Sequence, residues 1–229
     1  MLSPRYYFTN DFTLFEKTIE EKSKSYQKHS KGAILSQLEM NDAYYVKSGV
    51  LKWCIVNEDG NAQTILFAGA GSIMPLQLST EKFALENVLF LEAMTDVELL
   101  VISSKNIQDL TFENQSMVVA VAAYYNKICN TLLSRIYFHS FNCSVRLVAS
   151  VIYVLDSDIS IRKFYPQITQ DDLISLTGIS RAQTARALKQ LREEQIIETG
   201  RQSIFVRDKH RLMELCSFAP TQKQRLHLI

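Results

Sequence analysis

The sequence predicts an α+β chain in which short strands are followed by one long helix, two short helices and a terminal hairpin. Three observations predict this order. Residues 30–105 contain apolar segments separated by turn residues, as in a small antiparallel barrel or sandwich. Residues 114–144 lack Gly and Pro and repeat apolar residues at helical spacing. Residues 169–206 contain two signals for the start of a helix.

Five segments of the first region are rich in β-branched and aromatic residues, which favour strands. They are Ala43–Val46, Gly49–Val56, Gln63–Phe67, Val88–Ala93 and Val97–Ile102. The dipeptide Asp59-Gly60 lies between the second and third segments, and glycine adopts the positive φ that a tight hairpin turn needs. We therefore expect a tight turn to join these two strands.

One heptad pattern runs along the predicted long helix. Its members recur at spacings of three and four residues and are Val118, Val121, Tyr125, Ile128 and Leu132. This pattern is typical of a two-stranded coiled coil, so these residues are the predicted dimer interface. The alternative is that the helix packs on its own barrel, and the residues on its other faces permit both arrangements.

Two capping motifs mark the helices that follow. Thr169 and Asp172 resemble a capping box, and Ser180 and Gln183 form one with a standard Gln partner. Gly178 is expected to end the first of the two helices. The second helix is predicted to run from residue 182 to residue 194, with three residues facing inward: Ala185, Leu188 and Leu191. Apolar residues on both sides of Gly200 then predict a two-stranded hairpin.

This order of helix, glycine-containing turn, helix and hairpin is that of a winged helix-turn-helix, whose second helix fits the DNA major groove. Arg suits guanine, Gln suits adenine, and Ser, Thr and Lys suit phosphates. The residues predicted to bind double-stranded DNA are Thr169, Ser180, Arg181, Gln183, Thr184, Arg186, Lys189 and Arg201. The alternative is a helical bundle with a solvated basic face.

The charges of the chain are unevenly distributed. Residues 162–211 carry 10 Lys and Arg against 6 Asp and Glu, whereas residues 1–161 carry 13 against 17. The whole chain has a formal net charge of only +1. This asymmetry indicates that a polyanion contacts the C-terminal part alone.

The C-terminal segment resembles the cyclic-AMP receptor protein and fumarate-nitrate regulator (Crp/Fnr) family of bacterial transcription factors. The likeness is strongest over ITQDDLISLTGISRAQTARALKQLREEQIIETGRQSIFV and continues more weakly in GNAQTILFAGAGS and LVASVIYVL. It spans residues 25–210, approximately. It implies a cyclic-nucleotide-binding-like β-roll sensor over residues 1–112, a dimerisation helix over 113–143 and a winged helix-turn-helix over 144–229.

The resemblance also implies a cytoplasmic homodimer that binds a palindromic operator under the control of an effector in the β-roll, and RNA polymerase would be a further partner of an activator. Arg181 and Arg186 match two arginines that the family uses at DNA, and Ser180 matches a phosphate-contacting helix start. Ala182 departs from the pattern, because the best-known members have a glutamate there that accepts from cytosine. The operator is therefore expected to differ, with Gln183 as the replacement reader.

The sequence argues against a cyclic nucleotide as the effector. Cyclic-nucleotide binders of the family hold the ribose with a glutamate and neutralise the phosphate with an arginine. Here Leu76 stands at the glutamate position, and residues 71–93 contain no arginine. A buried phosphate without a cation would be costly.

A small organic effector is expected instead, in an apolar pocket against the long helix. The candidate residues are Met74, Leu76, Gln77, Tyr124, Tyr125, Lys127 and Thr131. Lys127 would pair with an anionic group of that effector. Two alternatives remain: control through the oxidation of a cysteine, and a constitutive regulator without an effector.

No metal or cofactor is expected. The four cysteines are far apart in the sequence and the first is Cys54, so neither an iron–sulfur cluster nor a disulfide framework is indicated. His139 and Cys143 lie four residues apart on one helix face, but two ligands do not make a metal site.

Membrane proteins and enzymes are also disfavoured. The longest apolar run, residues 117–125, is far shorter than the roughly 18 residues needed to cross a bilayer, and no secretory signal is visible. No nucleophile elbow, HExxH motif or phosphate loop is present, so no enzymatic activity is expected. A cyclic-nucleotide-regulated adaptor that binds protein would leave Arg181 and Arg186 unexplained.

Overall fold

The structure of the protein is a computed structural model. It describes residues 7–35, 42–60, 62–76, 78, 89–140, 144–157, 159–200 and 203–216. The described chain divides into two compact units, one up to Thr131 and one from Leu132 onward. No helix in the described ranges is both long enough and apolar enough to cross a membrane.

The first unit contains two sheets. The strand order of the first sheet is β1 (Tyr7–Phe8), β6 (Ala62–Gly69), β5 (Val50–Val56), β8 (Leu89–Ala93) and β3 (Ile34–Leu35). The order of the second sheet is β2 (Ser25–His29), β9 (Val97–Ser103), β4 (Asp42–Ser48) and β7 (Ile73–Met74). Neighbouring strands are antiparallel, except that β1 runs parallel to β6.

The five predicted strands are confirmed as β4, β5, β6, β8 and β9. Gly60 has a φ of +79°, and its N–H donates to the carbonyl of Asn57 at 3.0 Å, so the predicted tight turn joins β5 to β6. The remaining four strands were not predicted. Three of them are only two residues long, and β2 has the polar sequence SYQKH, so none of the four gives a strand pattern.

Apolar side chains from both sheets form the core of the first unit. Tyr45, Leu99 and Met74 of the second sheet and Leu51 and Phe67 of the first are fully buried. The helices of this unit are α1 (Glu16–Glu21), α2 (Ser104–Glu113) and the first part of α3 (Gln115–Ser140). The predicted long helix is confirmed as α3, which has 26 residues.

The helix α2 was not predicted as a separate element. Asn114 interrupts the helical backbone between α2 and α3 with a φ of −132° and a ψ of +106°. Its side-chain oxygen accepts from the N–H of Ser116 at 2.9 Å. Asn favours helix starts because its side chain replaces a missing backbone acceptor, so α3 begins afresh at this residue.

The second unit contains short helices around α4. Its elements are α4 (Ser144–Ser157), α5 (Ile159–Phe164), α6 (Gln170–Thr177), α7 (Arg181–Glu193), β10 (Ile197–Thr199), β11 (Ile204–Val206) and α8 (Lys209–Leu215). The apolar face of α4 packs against α6, α7 and α8. The helix α5 was not predicted, and its Ile161 and Phe164 are buried. The helices and hairpin of the second unit follow the strands and the long helix in the chain, so the predicted α+β order is confirmed.

Candidate nucleic-acid interface

The first helix of the predicted DNA-binding motif, α6, begins and ends with defined caps. Thr169 Oγ1 accepts from the N–H of Asp172 at 3.2 Å, and Asp172 Oδ2 accepts from the N–H of Thr169 at 2.8 Å. Gly178 has a φ of +71°, and its N–H donates to the carbonyl of Ile174. The predicted capping box and the predicted end of the helix are both confirmed.

The second helix, α7, begins at a second capping box. Ser180 Oγ accepts from the N–H of Gln183 at 3.2 Å. Gln183 Oε1 in turn accepts from both the N–H and the hydroxyl of Ser180, each at 3.0 Å. The predicted box is confirmed. Because Oε1 is already occupied, only the side-chain amide N–H groups of Gln183 remain available for a contact with DNA. Reading adenine with both ends of the Gln183 amide would require this box to open.

The buried face of α7 matches the prediction at Leu188 and Leu191 but differs from it at the start of the helix. Its buried residues are Thr184, Ala187, Leu188 and Leu191. The prediction that Thr184 faces DNA is wrong, because this side chain is 0% exposed and its hydroxyl donates to the carbonyl of Ser180 at 3.1 Å. The prediction that Ala185 faces inward is also wrong, because Ala185 is exposed. Thr184 can be buried since a carbonyl of its own helix satisfies its hydroxyl.

The exposed face of α7 combines cations with small apolar side chains. Ala182, Ala185, Arg186 and Lys189 lie at helical spacing on this face, and all four are exposed. Arg186 makes no hydrogen bond or ion pair with any residue that the structure describes. An unpaired Arg on an exposed helix face can donate two hydrogen bonds to guanine, and the alanine methyls can contact thymine.

Arg181 at the start of α7 has an internal partner. Its Nη2 donates to Asp171 Oδ1 of α6 at 2.7 Å. The two side chains are 72% and 74% exposed, so the pair lies at the protein surface. Sequence reasoning did not identify Asp171, because the pairing depends on how the turn at Gly178 places one helix start beside the other.

The predicted hairpin is confirmed as β10 and β11, which pair antiparallel from Ile197–Val206 to Thr199–Ile204. The N–H of Ile204 donates to the carbonyl of Ile168, just before α6, at 3.0 Å. Arg192 of α7 donates to Thr199 Oγ1 at 3.2 Å. The hairpin is therefore attached to both helices of the motif. Arg201 at its tip lies outside the described residues.

Comparisons with known proteins agree with this geometry. A family model described as a Crp-like helix-turn-helix domain matches residues 146–215, which include α6, α7 and the hairpin. A solved structure of a double mutant of CooA from Carboxydothermus hydrogenoformans has a TM-score of 0.69 and 20% identity, over 94% of this chain and 99% of that one. Residues 146–215 are a Crp-like helix-turn-helix domain, a DNA-binding domain of transcription regulators, and the chain has the fold of Crp/Fnr proteins.

Two further solved structures share the fold of this chain. CLP from Xanthomonas campestris, described as c-di-GMP responsive, has a TM-score of 0.68 and 17% identity over 84% of this chain and 97% of that one. FixK2 from Bradyrhizobium japonicum has a TM-score of 0.62 and 16% identity over 86% and 98%. No curated protein matches the chain by sequence.

In the β-roll, the first unit of the chain, most candidate effector residues contact other protein groups. Met74 and Leu76 are buried, and Gln77 lies outside the described residues. Tyr124 donates to the carbonyl of Ile73 at 3.1 Å, and Tyr125 donates to the carbonyl of Leu76 at 2.6 Å. Burial raises the pKa of both phenols, so they remain neutral donors at physiological pH.

The cation expected to bind an effector already has a partner. Lys127 Nζ pairs with Asp11 Oδ1, and the Asp11 side chain is only 4% exposed. Thr131 is buried, and its hydroxyl donates to the carbonyl of Lys127 at 3.0 Å. Asp11 Oδ2 is buried and has no hydrogen-bond partner among the described residues. Asp11 was not predicted, because a contact across 116 residues leaves no local sequence pattern.

The predicted dimer residues divide between two faces of α3. Val121 is buried and Ile128 is partly buried, and both pack on the core of the first unit. Val118, Tyr125 and Leu132 are exposed. An exposed, largely apolar row at heptad spacing runs along the helix and is called the α3 stripe below. Its members are Val118, Ala122, Tyr125, Cys129, Leu132 and Ile136.

The described residues contain no group of three or more His, Cys, Asp or Glu that could hold a metal ion. Cys143 and the side chain of His139 lie outside them. Cys54 and Cys216 are buried, whereas Cys129 is exposed. Burial raises the pKa of Cys54, and it raises the pKa of Cys216 to about 11.

Proposed function

We propose that the protein is a homodimeric transcription regulator of the Crp/Fnr family that binds a palindromic DNA operator, with one α7 helix in the major groove of each half-site. The observation that carries the proposal is the α3 stripe. Tyr125 is 37% exposed, Leu132 40% and Ile136 60%, so large apolar side chains face solvent in the isolated chain. Pairing two stripes in a coiled coil removes them from water.

The geometry of α3 favours this stripe over the predicted seam. A coiled coil needs apolar residues that repeat every three and four positions and are free to contact a second helix. Val121 and Ile128 meet the spacing, but they already pack on the β-roll. Ala122 and Ile136 replace them, since both are exposed and continue the spacing of Val118, Tyr125 and Leu132.

Two-fold symmetry of the dimer explains the form of the operator. A symmetric pair of recognition helices reads two inverted half-sites about 10 bp apart, one turn of B-DNA. Arg186, Lys189 and the alanine methyls of α7 would contact each half-site in the same way. The half-site should therefore combine guanine, opposite Arg186, with thymine near Ala182 or Ala185.

Selection from a random DNA pool tests the proposal. The purified full-length protein is expected to enrich a palindrome with half-sites about 10 bp apart. A protein that shows no preference over random competitor DNA at physiological salt would contradict it. Repeating the selection with small metabolites extracted from cells separates two forms of regulation. Enrichment only with the extract supports an effector, and equal enrichment without it supports a constitutive regulator.

Within this proposal, the effector is a small organic anion that binds beside Lys127 and displaces the Asp11 carboxylate. The buried Asp11 Oδ2 has no hydrogen-bond partner among the described residues, so this carboxylate is incompletely stabilised beside Lys127 and its displacement by another anion is less costly. The constitutive alternative is supported by the existing pairs of Lys127, Tyr124 and Tyr125, which need no ligand.

Replacing Lys127 should reveal how much the buried pair stabilises the β-roll. Lys127→Met leaves Asp11 buried without a cation, so we expect a loss of about 1–3 kcal/mol in the free energy of unfolding. The double variant with Asp11→Asn should recover most of it. Lys28→Met is the matched control, since its pair with Glu98 is exposed to water and should contribute little to stability.

Urea titrations followed by Trp53 fluorescence measure the stability of the first unit, because Trp53 is the only tryptophan of the chain and lies in β5. Equal midpoints for Lys127→Met and Lys28→Met would mean that the Asp11–Lys127 pair does not stabilise the β-roll.

Redox control depends on which thiols can react. The raised pKa values of Cys54 and Cys216 keep these thiols protonated at neutral pH, and both are buried, so iodoacetamide should not alkylate them in the folded protein. Cys129 should react, unless pairing of the α3 stripes covers it. Mass spectrometry of native and urea-unfolded samples measures each site. Rapid alkylation of Cys54 or Cys216 in the native protein would contradict the described burial.

A further inference from the structure

An acidic residue lies beside the start of α7, the helix proposed to enter the major groove. Asp171 is the second residue of α6 and pairs with Arg181, the first residue of α7, at 2.7 Å. Its side chain is 74% exposed. A carboxylate on a DNA-contacting surface is repelled by phosphates, so its presence there calls for a compensating role.

Stabilisation of the fold does not explain the pair between Asp171 and Arg181. An ion pair with both side chains largely exposed typically contributes little to the free energy of unfolding. The starts of α6 and α7 are already fixed by their own capping boxes at Thr169 and Ser180. Asp171 does benefit from the positive end of the α6 dipole, but that benefit does not require Arg181.

We propose that Asp171 is a positioning residue that determines base specificity through Arg181, an inference that rests on the proposed operator binding. A guanidinium has five N–H donors in one plane. Asp171 accepts from Nη2, which leaves donors on the rest of the guanidinium for the two acceptors of a guanine edge. Holding the long side chain in one orientation before DNA binds also reduces the entropy lost on binding.

The pairing also separates the role of Arg181 from that of the other cations of α7. Asp171 offsets the charge of Arg181, so this pair adds little to the attraction between the protein and any DNA. Arg186 has no such acidic partner among the described residues. Arg181 therefore contributes selectivity for one base pair, whereas Arg186 contributes both selectivity and general affinity.

Two substitutions of Asp171 and one matched control test this proposal in the full-length protein. Asp171→Asn removes the charge at nearly constant size, and Asp171→Glu keeps the charge on a longer side chain. Glu193→Gln is the control, because Glu193 is a similarly exposed acid whose partner is also a cation of α7, Lys189, at 3.8 Å. Equilibrium binding is measured to the selected operator, to operators changed at single base pairs, and to random DNA.

Asp171→Asn is expected to lower the preference for the cognate base about five-fold at one position of each half-site, while raising the affinity for random DNA. Asp171→Glu should restore part of the preference. Glu193→Gln should raise the affinity for all sequences by the same factor. If Asp171→Asn also changes all sequences equally, Asp171 acts only through its charge and the proposal is overturned.

The wild-type protein separates this inference from the proposed function. If the wild type shows no base preference, operator recognition itself fails and the role of Asp171 fails with it. If the wild type selects an operator and the Asp171→Asn variant keeps every base preference, only the positioning role is overturned. Circular dichroism of each variant checks that the helices remain folded.

Discussion

We expect Ala122→Glu to convert the protein into a monomer and Ala123→Glu to leave it dimeric. The two alanines are neighbours on α3, and both are exposed in the single chain. Only Ala122 belongs to the α3 stripe, because a rotation of about 100° per residue turns Ala123 away from it. The pair of variants therefore adds the same charge to the same helix at two different faces.

The size of the effect follows from symmetry. In the proposed dimer of the Ala122→Glu variant, the two introduced carboxylates would face each other in an apolar seam, where burial of unpaired like charges costs several kcal/mol. The affinity for a palindromic operator should then fall by about 10²–10⁴, because the second half-site is no longer bound intramolecularly. The affinity for a single half-site should change little.

Light scattering after size-exclusion chromatography measures the mass of each variant, and titration of full and half operators measures binding. Ala122→Glu should elute near the chain mass of 26.2 kDa, and Ala123→Glu near twice that mass. A dimer that survives Ala122→Glu but not Ala123→Glu would show that another face of α3 forms the interface.

The helix α3 illustrates why the sequence predicts the element but not its contacts. Its length and period are local properties, and both were predicted. It carries two apolar rows of the same heptad spacing, one including Met117, Val121 and Tyr124 and the other including Val118 and Tyr125. Spacing alone cannot decide which row packs on the β-roll. The predicted seam took members from both rows.

In the DNA-binding motif, as in α3, local features were predicted from the sequence and contacts between distant residues were not. Both capping boxes connect residues three positions apart, so the sequence contains the whole signal. Leu188 and Leu191 of α7 are buried as predicted, but Thr184 is buried in place of Ala185, because Thr184 is polar by type although a carbonyl of its own helix satisfies its hydroxyl. The Asp11–Lys127 and Asp171–Arg181 pairs depend on the fold and were not predicted.

Arg186→Ala should produce the largest loss of operator recognition among single substitutions of α7. Arg186 lies on the exposed face, and no described residue competes for its donors. Loss of a bidentate contact with guanine costs about 1–3 kcal/mol in each half-site. Because the two half-sites are well separated, the costs should nearly add, to about 2–6 kcal/mol for the palindrome.

Lys189→Ala provides the contrast that identifies the type of contact. A Lys that neutralises a phosphate contributes to all sequences alike, so its removal should lower specific and random binding by the same factor and reduce the salt slope by about 0.9 per half-site. Arg186→Ala should instead relax the preference at one base pair of each half-site. Binding measured over a range of salt concentrations, with cognate and single-substituted operators, separates the two effects. If both variants weaken cognate and random DNA equally, Arg186 contacts a phosphate, and the base must be read by another residue of α7.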